Sequence, residues 1–224
     1  MYTPVYHAFN DIEKMRAHIA AHPLGAWVCH AHGQLIANHI PFVLDAKHGS
    51  HGRLLAHVSR ANSVWRELIG GAPSVVMFMG PSAYITPSWY PGKRQHGKVV
   101  PTWNYVTVHA HGMARAMEDT CWILDVLNRL TDTQESQRTE PWKVSDAPSA
   151  YIDKMLRAVV GIEITIDRVE GRLKVSQDED EQDRRGTVEA LQHSTDASTQ
   201  VLASLVLGEL EESTKGNLGN CPHR

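Results

Sequence analysis

Residues 80–112 have the sequence GPSAYITPSWYPGKRQHGKVVPTWNYVTVHAHG, which decides much of the fold. The segment AYI at 83–85 is typical of a short strand, and a loop rich in glycine and lysine follows it. From Val106 onward, small or apolar residues alternate with Thr107, His109 and His111, and this period of two predicts a β-strand. The stretch therefore predicts two strands separated by a cationic loop.

The loop contains a near match to a nucleotide-binding motif, because Gly92 and Gly97-Lys98 fit the pattern G-x-x-x-x-G-K. A P-loop also needs Ser or Thr after the lysine to bind Mg²⁺, and a helix whose N-terminus meets the phosphates. Val99 occupies the hydroxyl position, and a strand is predicted from there instead of a helix. We therefore exclude ATP binding. A plain surface turn and a loop that lends Lys98 to an anion remain equally good hypotheses.

The rest of the chain predicts many short strands with helices at the edges. A capped helix is predicted to begin at Asn10, a hairpin to turn at Gly33-Gln34, and a strand pair to turn at Glu170-Gly171. Two helices are predicted between 180 and 212. The regular strand–helix alternation of a parallel α/β fold is missing, so we predict a mainly β (α+β) fold built on a small antiparallel barrel.

Composition predicts an ordinary soluble protein. The chain has 224 residues, a formal net charge of -3 and three widely separated cysteines, Cys29, Cys121 and Cys221. An odd number of cysteines without C-x-x-C spacing predicts reduced thiols and a cytoplasmic location. No signal peptide is recognisable at the N-terminus, and no apolar run is long enough to span a bilayer.

Charge is unevenly distributed along the chain. Residues 46–117 contain eight basic residues and one acid, Glu67, whereas the chain from Ser176 onward contains ten acids and four basic residues. The positive middle favours an anionic ligand. The acidic C-terminal part disfavours DNA binding there, because such binding depends on neutralising phosphates.

The best candidate for an anion site is AHVSRAN at 56–62. A strand is predicted to end here, and Ser59, Arg60 and Asn62 offer a hydroxyl, a guanidinium and an amide where a short helix begins. Helix capping by Ser59 alone is the simpler alternative. Trp89 and Trp103 flank the cationic loop, so they pack in the barrel or contact a flat aromatic ligand.

Other kinds of chemistry find less support. The pairs His30/His32 and His109/His111 each face one side of a strand, but no spacing matches a zinc motif, so we predict no metal site. Cys29 and Cys121 lie in apolar surroundings, and no G-x-S-x-G motif is present. A catalytic residue is therefore not assigned.

The chain resembles the PaiB family of FMN-binding negative transcriptional regulators, which are related to the pyridoxamine 5′-phosphate oxidase-like flavoproteins. The resemblance covers about residues 1–192 and rests on segments such as MYTPVYHAF, LIANHIPF, LLAHVSRAN, SAYITPSWYP and GKVVPTWNY. It implies a six-stranded antiparallel FMN-binding split β-barrel with peripheral helices. It further implies a homodimer with FMN at the dimer interface. The lack of a G-x-G-x-x-G motif favours FMN over FAD.

The resemblance also implies a set of flavin-binding residues. The FMN phosphate is expected to bind the segment that contains His57, Val58, Ser59, Arg60 and Asn62. The isoalloxazine ring is expected along Asn38, His39 and Pro41. Trp103 and Asn104 are expected to reach the flavin from the partner subunit, and Lys174 and Gln177 to close the site. One departure is Asp178-Glu179 after VSQ, where relatives usually have Asn-Arg or a similar pair.

These observations lead to a definite set of predictions. We predict a split-barrel domain at 1–178, a C-terminal helical extension at 179–212 and a flexible tail at 213–224. The favoured function is a flavin-binding transcriptional regulator. The alternatives are an FMN-dependent oxidoreductase acting on a small molecule, and a protein that binds flavin or haem without chemistry. Direct DNA binding is weakly supported, because the segment 184–210 lacks a basic recognition helix.

Overall fold

The computed structural model describes residues 1–218, with side chains through Glu211. Residues 219–224, which include Cys221 and the end of the predicted tail, lie outside the described residues. The helices are α1 (Ile12–Ala21), α2 (Gly92–Gln95), α3 (Thr120–Glu135), α4 (Ser149–Arg157), α5 (Glu181–Gln192) and α6 (Ala197–Leu218). The strands are β1 (Ala8–Phe9), β2 (Leu24–Ala31), β3 (Gln34–Pro41), β4 (Val43–Asp45), β5 (Arg53–Ser59), β6 (Ala72–Ile85), β7 (Thr102–Met117) and β8 (Val159–Lys174).

The eight strands form one sheet in the order β3-β2-β6-β7-β8-β5-β4, and β1 pairs with β8. The pairs β2–β3, β2–β6, β4–β5, β5–β8 and β1–β8 are all antiparallel. Six of the strands have at least seven residues, as predicted, and the two additional strands, β1 and β4, have two and three residues. Among the described residues, no helix is long and apolar enough to cross a membrane.

Three long strands differ from their predicted bounds. Strands β6 and β8 are continuous where the sequence predicted a break, and β7 begins earlier than predicted. Gly80-Pro81 does not interrupt β6, because proline fits extended backbone and removes only one ladder hydrogen bond. Gly171 lies inside β8 and has no positive φ, so the predicted turn at Glu170-Gly171 is wrong. Strand β7 begins at Thr102, four residues before the predicted start of alternation at Val106.

The chain divides into two compact units, and β6, β7 and β8 each pass from one into the other. The sheet unit contains residues 11–78 and 108–170. The terminal unit contains residues 1–10, 79–107 and 171 onward. This division differs from the predicted boundary after residue 178, which stays a prediction.

The sheet unit contains most of the strand pairing. Strand β2 alternates buried and less buried residues, and its fully buried Trp27 donates from Nε1 to Ser74 Oγ at 3.1 Å. The hairpin turn lies at His32-Gly33, one residue earlier than predicted, and both residues have positive φ (49° and 76°). Such angles are those of a two-residue hairpin turn. Helix α1 is capped by Asp11 rather than Asn10, since the Asp11 carboxylate accepts from Glu13 and Lys14 N–H.

The terminal unit has its own hydrophobic core, in which α5 and α6 pack together. Its buried members are Ile85, Tyr90, Val175, Val188, Leu191, Leu202, Ala203 and Val206. Helix α5 also contacts the segment before α2. The Gly92 N–H donates to Asp183 Oδ1 at 2.8 Å, and a side chain at Gly186 would meet the Trp89 carbonyl oxygen at 2.2 Å. Glycine at 186 therefore permits this close approach.

Buried histidines make the folded protein sensitive to acid. Burial lowers the pKa of five imidazoles, those of His7, His18, His22, His57 and His109. Below about pH 6.5 the unfolded chain binds more protons at these positions than the folded chain does. The free energy of unfolding therefore falls as the pH falls. We expect the unfolding temperature to drop between pH 7 and pH 5. Histidine 18, which contacts the Phe78 carbonyl at 3.1 Å, contributes to this slope.

A matched pair of variants tests this assignment. His18→Gln should flatten the dependence of the unfolding temperature on pH, whereas His30→Gln, at an exposed position on β2, should keep the wild-type slope. An unfolding temperature that stays constant or rises between pH 7 and pH 5 would show that burial of these imidazoles does not govern acid stability.

Candidate functional site

The predicted anion segment lies in the sheet unit, where β5 ends. Ser59 is the last residue of β5, and a 3-10 helix runs from Ser63 to Leu68. The cap of this helix is Asn62, whose side-chain oxygen accepts from Val64 N–H at 3.1 Å. Ser59 instead forms a turn, since its Oγ accepts from Ala61 N–H at 3.3 Å. The simpler alternative of capping by Ser59 is therefore wrong, and the exposed Ser59 side chain lies beside the turn.

Arg60 is held by several partners at once. Its Nη1 donates to Glu118 Oε2 at 2.8 Å, Nε to the Arg157 carbonyl at 3.1 Å and Nη2 to the Val159 carbonyl at 3.3 Å. The guanidinium also lies 5.4 Å from the centre of the Trp65 ring. Its side chain remains 37% exposed. Arg60 is thus fixed in orientation by carbonyl groups, while its carboxylate partner Glu118 occupies a place that a phosphate could take.

Asn38 and Asn62 are hydrogen-bonded to each other. The Asn62 amide donates to Asn38 Oδ1 at 2.8 Å, which ties β3 to the start of the 3-10 helix. His39 and Pro41 lie further along β3 and are exposed. No residue of β3 is fully buried, and β3 is the first strand in the sheet order. An edge strand with an open face provides a surface for a ligand or a partner chain.

His57 and Val58 complete this cluster on β5. Val58 is buried and its role is packing. His57 is opposite Gly161 on β8, and its Nδ1 is buried without a hydrogen-bond partner among the described residues. Burial lowers the pKa of His57, so the imidazole is neutral near pH 7. A buried ring nitrogen without a partner is a place where a bound molecule or water would restore a hydrogen bond.

The other four predicted residues form a second cluster in the terminal unit. Trp103 and Asn104 lie at the start of β7, and Lys174 and Gln177 lie at the end of β8 and just beyond it. Lys174 Nζ donates to Thr102 Oγ1 and, at 2.9 Å, to the Trp103 carbonyl. Burial lowers the pKa of Lys174. The neighbouring strands β7 and β8 therefore bring these four residues together.

Within this cluster, Trp103 and Asn104 differ strongly in exposure. The Trp103 side chain is 56% exposed and meets Tyr84 edge to face at 6.1 Å. Asn104 is fully buried, and its Nδ2 donates to Ser176 Oγ at 2.8 Å. Its Oδ1 is buried and has no hydrogen-bond partner among the described residues. Because the two residues are consecutive in β7, their side chains point to opposite faces, with the exposed ring on one face and the buried acceptor on the other.

Gln177 has a local structural role. Its Oε1 accepts from Val175 N–H at 2.8 Å, and its Nε2 donates to the Leu173 carbonyl at 2.7 Å. These bonds close the turn in which Ser176 takes a positive φ of 63°. Gln177 consequently orients Ser176, the hydrogen-bond partner of Asn104.

The loop that resembles a P-loop has a different geometry. The first amide of the short helix α2, at Gly92, binds the buried carboxylate of Asp183, so an acid stands where a P-loop would hold phosphate. Residues 97–101 are irregular, and Lys98 is exposed. A cleft of about 750 Å³ lies between residues 88–95 and α5, lined by residues that include Trp89, Arg94 and His193.

Some of these contacts had no signal in the sequence. Glu118 is 58 positions from Arg60, and Asp183 is 91 positions from Gly92, so spacing could not connect them. Ser176 lies inside the KVSQ segment, from which only Lys174 and Gln177 were predicted as site residues. Its role depends on the buried bond to Asn104, which only the pairing of β7 with β8 creates.

Taken separately, the two clusters carry groups of the kinds that flavin sites use. A phosphate needs a guanidinium and hydroxyl or amide donors, and a flavin ring needs a flat wall with polar groups at its edge. The sheet unit has groups of the first kind at Ser59, Arg60 and Asn62, and the terminal unit has an exposed aromatic ring at Trp103. His57 Nδ1 in the sheet unit and Asn104 Oδ1 in the terminal unit are buried without a hydrogen-bond partner among the described residues.

Comparison with known proteins decides the family. A family model described as "Putative FMN-binding domain" matches residues 1–168 of the chain. The chain belongs to this FMN-binding-domain family. The matched range includes ten of the twelve predicted flavin-binding residues, and Lys174 and Gln177 lie beyond it.

This FMN-binding-domain protein has relatives in fungi and bacteria. It is 31% identical over 249 residues to an uncharacterized protein of Emericella nidulans, with 95% of this chain and 99% of the relative covered. It is 28% identical over 212 residues to the Bacillus subtilis Protease synthase and sporulation protein PAI 2, with the same coverage of 95% and 99%. The predicted resemblance to PaiB is confirmed by this second relative.

Solved structures confirm the split-barrel fold of the FMN-binding-domain protein. The FAD and heme binding protein from Mycobacterium smegmatis has a TM-score of 0.53 at 19% identity, covering 72% of this chain and 70% of that one. The flavocytochrome Anf3 from Azotobacter vinelandii has a TM-score of 0.53 at 17% identity, covering 80% and 75%. The family model indicates a flavin cofactor.

Proposed function

We propose that this protein is a PaiB-type regulator that binds FMN in a homodimer. The observation that carries the proposal is the pair of buried unpartnered atoms, His57 Nδ1 and Asn104 Oδ1, within the two clusters of an FMN-binding-domain protein. When bound, FMN supplies redox chemistry and a flat aromatic ring. The residues of this chain hold it, orient it and limit the access of water.

The phosphate end is assigned to the cluster at the end of β5. Arg60 is already oriented by the Arg157 and Val159 carbonyls, so binding an anion costs little side-chain entropy. The Glu118 carboxylate accepts a hydrogen bond from Arg60 Nη1, so a phosphate would have to displace it. Ser59 and Asn62 add a hydroxyl and an amide beside it. Asn38, His39 and Pro41 provide a neighbouring strand along which the ring would lie.

The ring end is assigned to the terminal unit of the partner subunit. Trp103 offers an exposed aromatic face, and Asn104 offers a buried acceptor for an N–H group. Lys174 lies beside them, bound to the Trp103 carbonyl. A positive charge at this position stabilises electron density on the ring, which is a general requirement of flavin sites.

Asn104 allows a sharp test of this end of the site. Replacing Asn104 and Ser176 together, as N104L/S176A, removes both partners of a buried hydrogen bond, so stability without flavin should change by less than about 1 kcal/mol. FMN affinity should fall about tenfold or more, because the acceptor is gone. The single variant S176A, which keeps the Asn104 acceptor, serves as control. Fluorescence titration with FMN and thermal unfolding give the two readouts, and equal affinities in both variants would contradict the assignment.

A homodimer is proposed because both units expose surface that a partner would cover. The edge strand β3 has Leu35 75% exposed, and the terminal unit exposes Trp103 and Tyr84. Open edges and grouped aromatic side chains favour association. Sedimentation of the purified chain should give twice the mass of 25.0 kDa.

The regulatory output is proposed to pass through a protein or metabolic partner rather than direct DNA contact. Helix α5 buries Asp183 and Arg184, and its exposed Arg185 pairs with Glu181 at 2.7 Å. A recognition helix needs exposed basic side chains aimed at the groove. Acidic residues at the start of α5 would oppose the phosphate backbone of DNA.

A second candidate function is an FMN-dependent oxidoreductase. The observation in its favour is the cleft of about 750 Å³ in the terminal unit, where Trp89, Arg94 and His193 could receive a small molecule. Two measurements separate the candidates. A mobility shift assay with and without FMN tests direct DNA binding, and oxidation of NAD(P)H by the flavin-loaded protein tests redox turnover. Steady turnover without any effect on DNA or protein partners would favour the enzyme.

A further inference from the structure

Two histidines on β7 lie next to each other in the sheet unit. His109 and His111 are two positions apart, and their ring centroids are 6.3 Å apart. Both side chains are half-buried, which limits competition from bulk water. Imidazoles in this arrangement can point a nitrogen at a common position.

A carboxylate from β8 joins the two rings. Glu170 Oε2 lies 3.1 Å from His111 Nε2, while the other carboxylate oxygen pairs with Arg168. One potential ligand atom from each of His109, His111 and Glu170 lies within 4.8 Å of the other two. Donors on a tetrahedral zinc ion are about 3.3 Å apart, because each ligand bond is about 2.0–2.2 Å long. Small side-chain rotations would therefore bring the three atoms to a metal.

We propose that His109, His111 and Glu170 bind a divalent first-row transition metal ion of the zinc class. Two imidazole nitrogens and one carboxylate oxygen suit such an ion better than Mg²⁺ or Ca²⁺, which prefer oxygen ligands alone. Three protein ligands leave a coordination position for water. The site is separate from the residues assigned to FMN, so it goes beyond the proposed function.

Contacts that already exist bear on metal binding at this site. His111 Nε2 and Glu170 Oε2, two of the three proposed ligand atoms, are 3.1 Å apart. Arg168 stays with the other oxygen of Glu170 and reduces the charge available to the metal, which limits the affinity.

The same histidines gave no metal prediction from the sequence. Glu170 is 59 positions from His111, and no zinc motif has this spacing. The second histidine pair shows why the i, i+2 pattern alone is insufficient. His32 lies in the hairpin turn with a φ of 49°, so it does not share a strand face with His30.

The test is a metal titration of the full-length chain after treatment with a chelator. We expect calorimetry to show one Zn²⁺ bound per chain. Co²⁺ should give the visible absorption of a bound tetrahedral ion. The variants H109Q and H111Q should each weaken Zn²⁺ binding at least about tenfold, and E170Q should weaken it as well. His30→Gln is the matched control and should bind like the wild type.

Two results would overturn the proposal. One is the absence of stoichiometric Zn²⁺ or Co²⁺ binding by the wild-type chain, which needs no variant. The other is binding by H109Q and H111Q that equals that of H30Q. Circular dichroism of each variant without metal confirms that it is folded. If H109Q is not folded, H109N replaces it. FMN affinity is measured in parallel, and it should be unchanged in H109Q.

Discussion

Replacing Arg60 with alanine is expected to weaken FMN binding about 10- to 100-fold. The estimate follows from the loss of charge-assisted hydrogen bonds to phosphate, each contributing about 1.5–3 kcal/mol. Arg60→Lys should recover only part of the affinity, because an ammonium group cannot reproduce the guanidinium fork. Arg60 also donates to the Arg157 and Val159 carbonyls, so both variants should unfold at lower temperature. FMN titrations should therefore be run well below the unfolding temperature of each variant.

Two further variants separate binding from structure. Arg66→Ala removes the same charge from a second guanidinium near Trp65, which lies 4.6 Å from the ring centre, and should leave FMN affinity nearly unchanged. Glu118→Gln removes the acid that occupies Arg60 Nη1, so FMN should bind at least as tightly as to the wild type. An R60A protein that binds FMN like R66A would show that Arg60 has only a structural role.

Replacing Gly186 with alanine is expected to destabilise the terminal unit by about 1–3 kcal/mol. The new methyl carbon would lie 2.2 Å from the Trp89 carbonyl oxygen and 3.0 Å from Pro91 Cδ. A carbonyl oxygen belongs to the backbone and cannot rotate away as a side chain would. Helix α5 would have to move away from residues 89–91, which would lengthen the 2.8 Å bond between Gly92 N–H and Asp183.

Gly208 is the matched control for this effect. It also lies within a helix, α6, but a side chain there would meet nothing within 4 Å. Gly208→Ala should stabilise the protein by up to about 1 kcal/mol through helix propensity alone. Urea unfolding of both variants gives the comparison. If G186A is as stable as G208A, the contact between α5 and residues 89–91 is not as tight as described.

Local patterns predicted the strands well where side chains alternate and poorly where glycine or proline suggested a break. The alternation from Val106 correctly placed most of β7, and the pair Gly70-Gly71 correctly ended the short helix before β6. Gly80-Pro81 and Glu170-Gly171 were misleading, because both pairs lie in extended backbone within long strands. Pairing between distant strands, not local preference, decides such positions.

The sequence was enough to propose residues for the flavin site, which stay a prediction, but it did not indicate the contacts that those residues make. The segments AHVSRAN and PTWNY located Arg60 and Asn104 from chemistry and family resemblance. That Arg60 binds Glu118, and that Asn104 keeps a buried acceptor beside Ser176, depends on strands far apart in the chain. The P-loop hypothesis was rejected because Val99 lacks a hydroxyl, and in the structure the Gly92 amide donates to Asp183.

The central claim is that this chain holds FMN, and a direct titration tests it. Purified protein is mixed with FMN at increasing ratios, and flavin fluorescence is followed to saturation. Quenching should saturate at one FMN per chain, in a particle of two chains, and a flavin absorption spectrum should remain after gel filtration. Fluorescence that stays unquenched at saturating FMN, with no flavin retained by the protein, would contradict it.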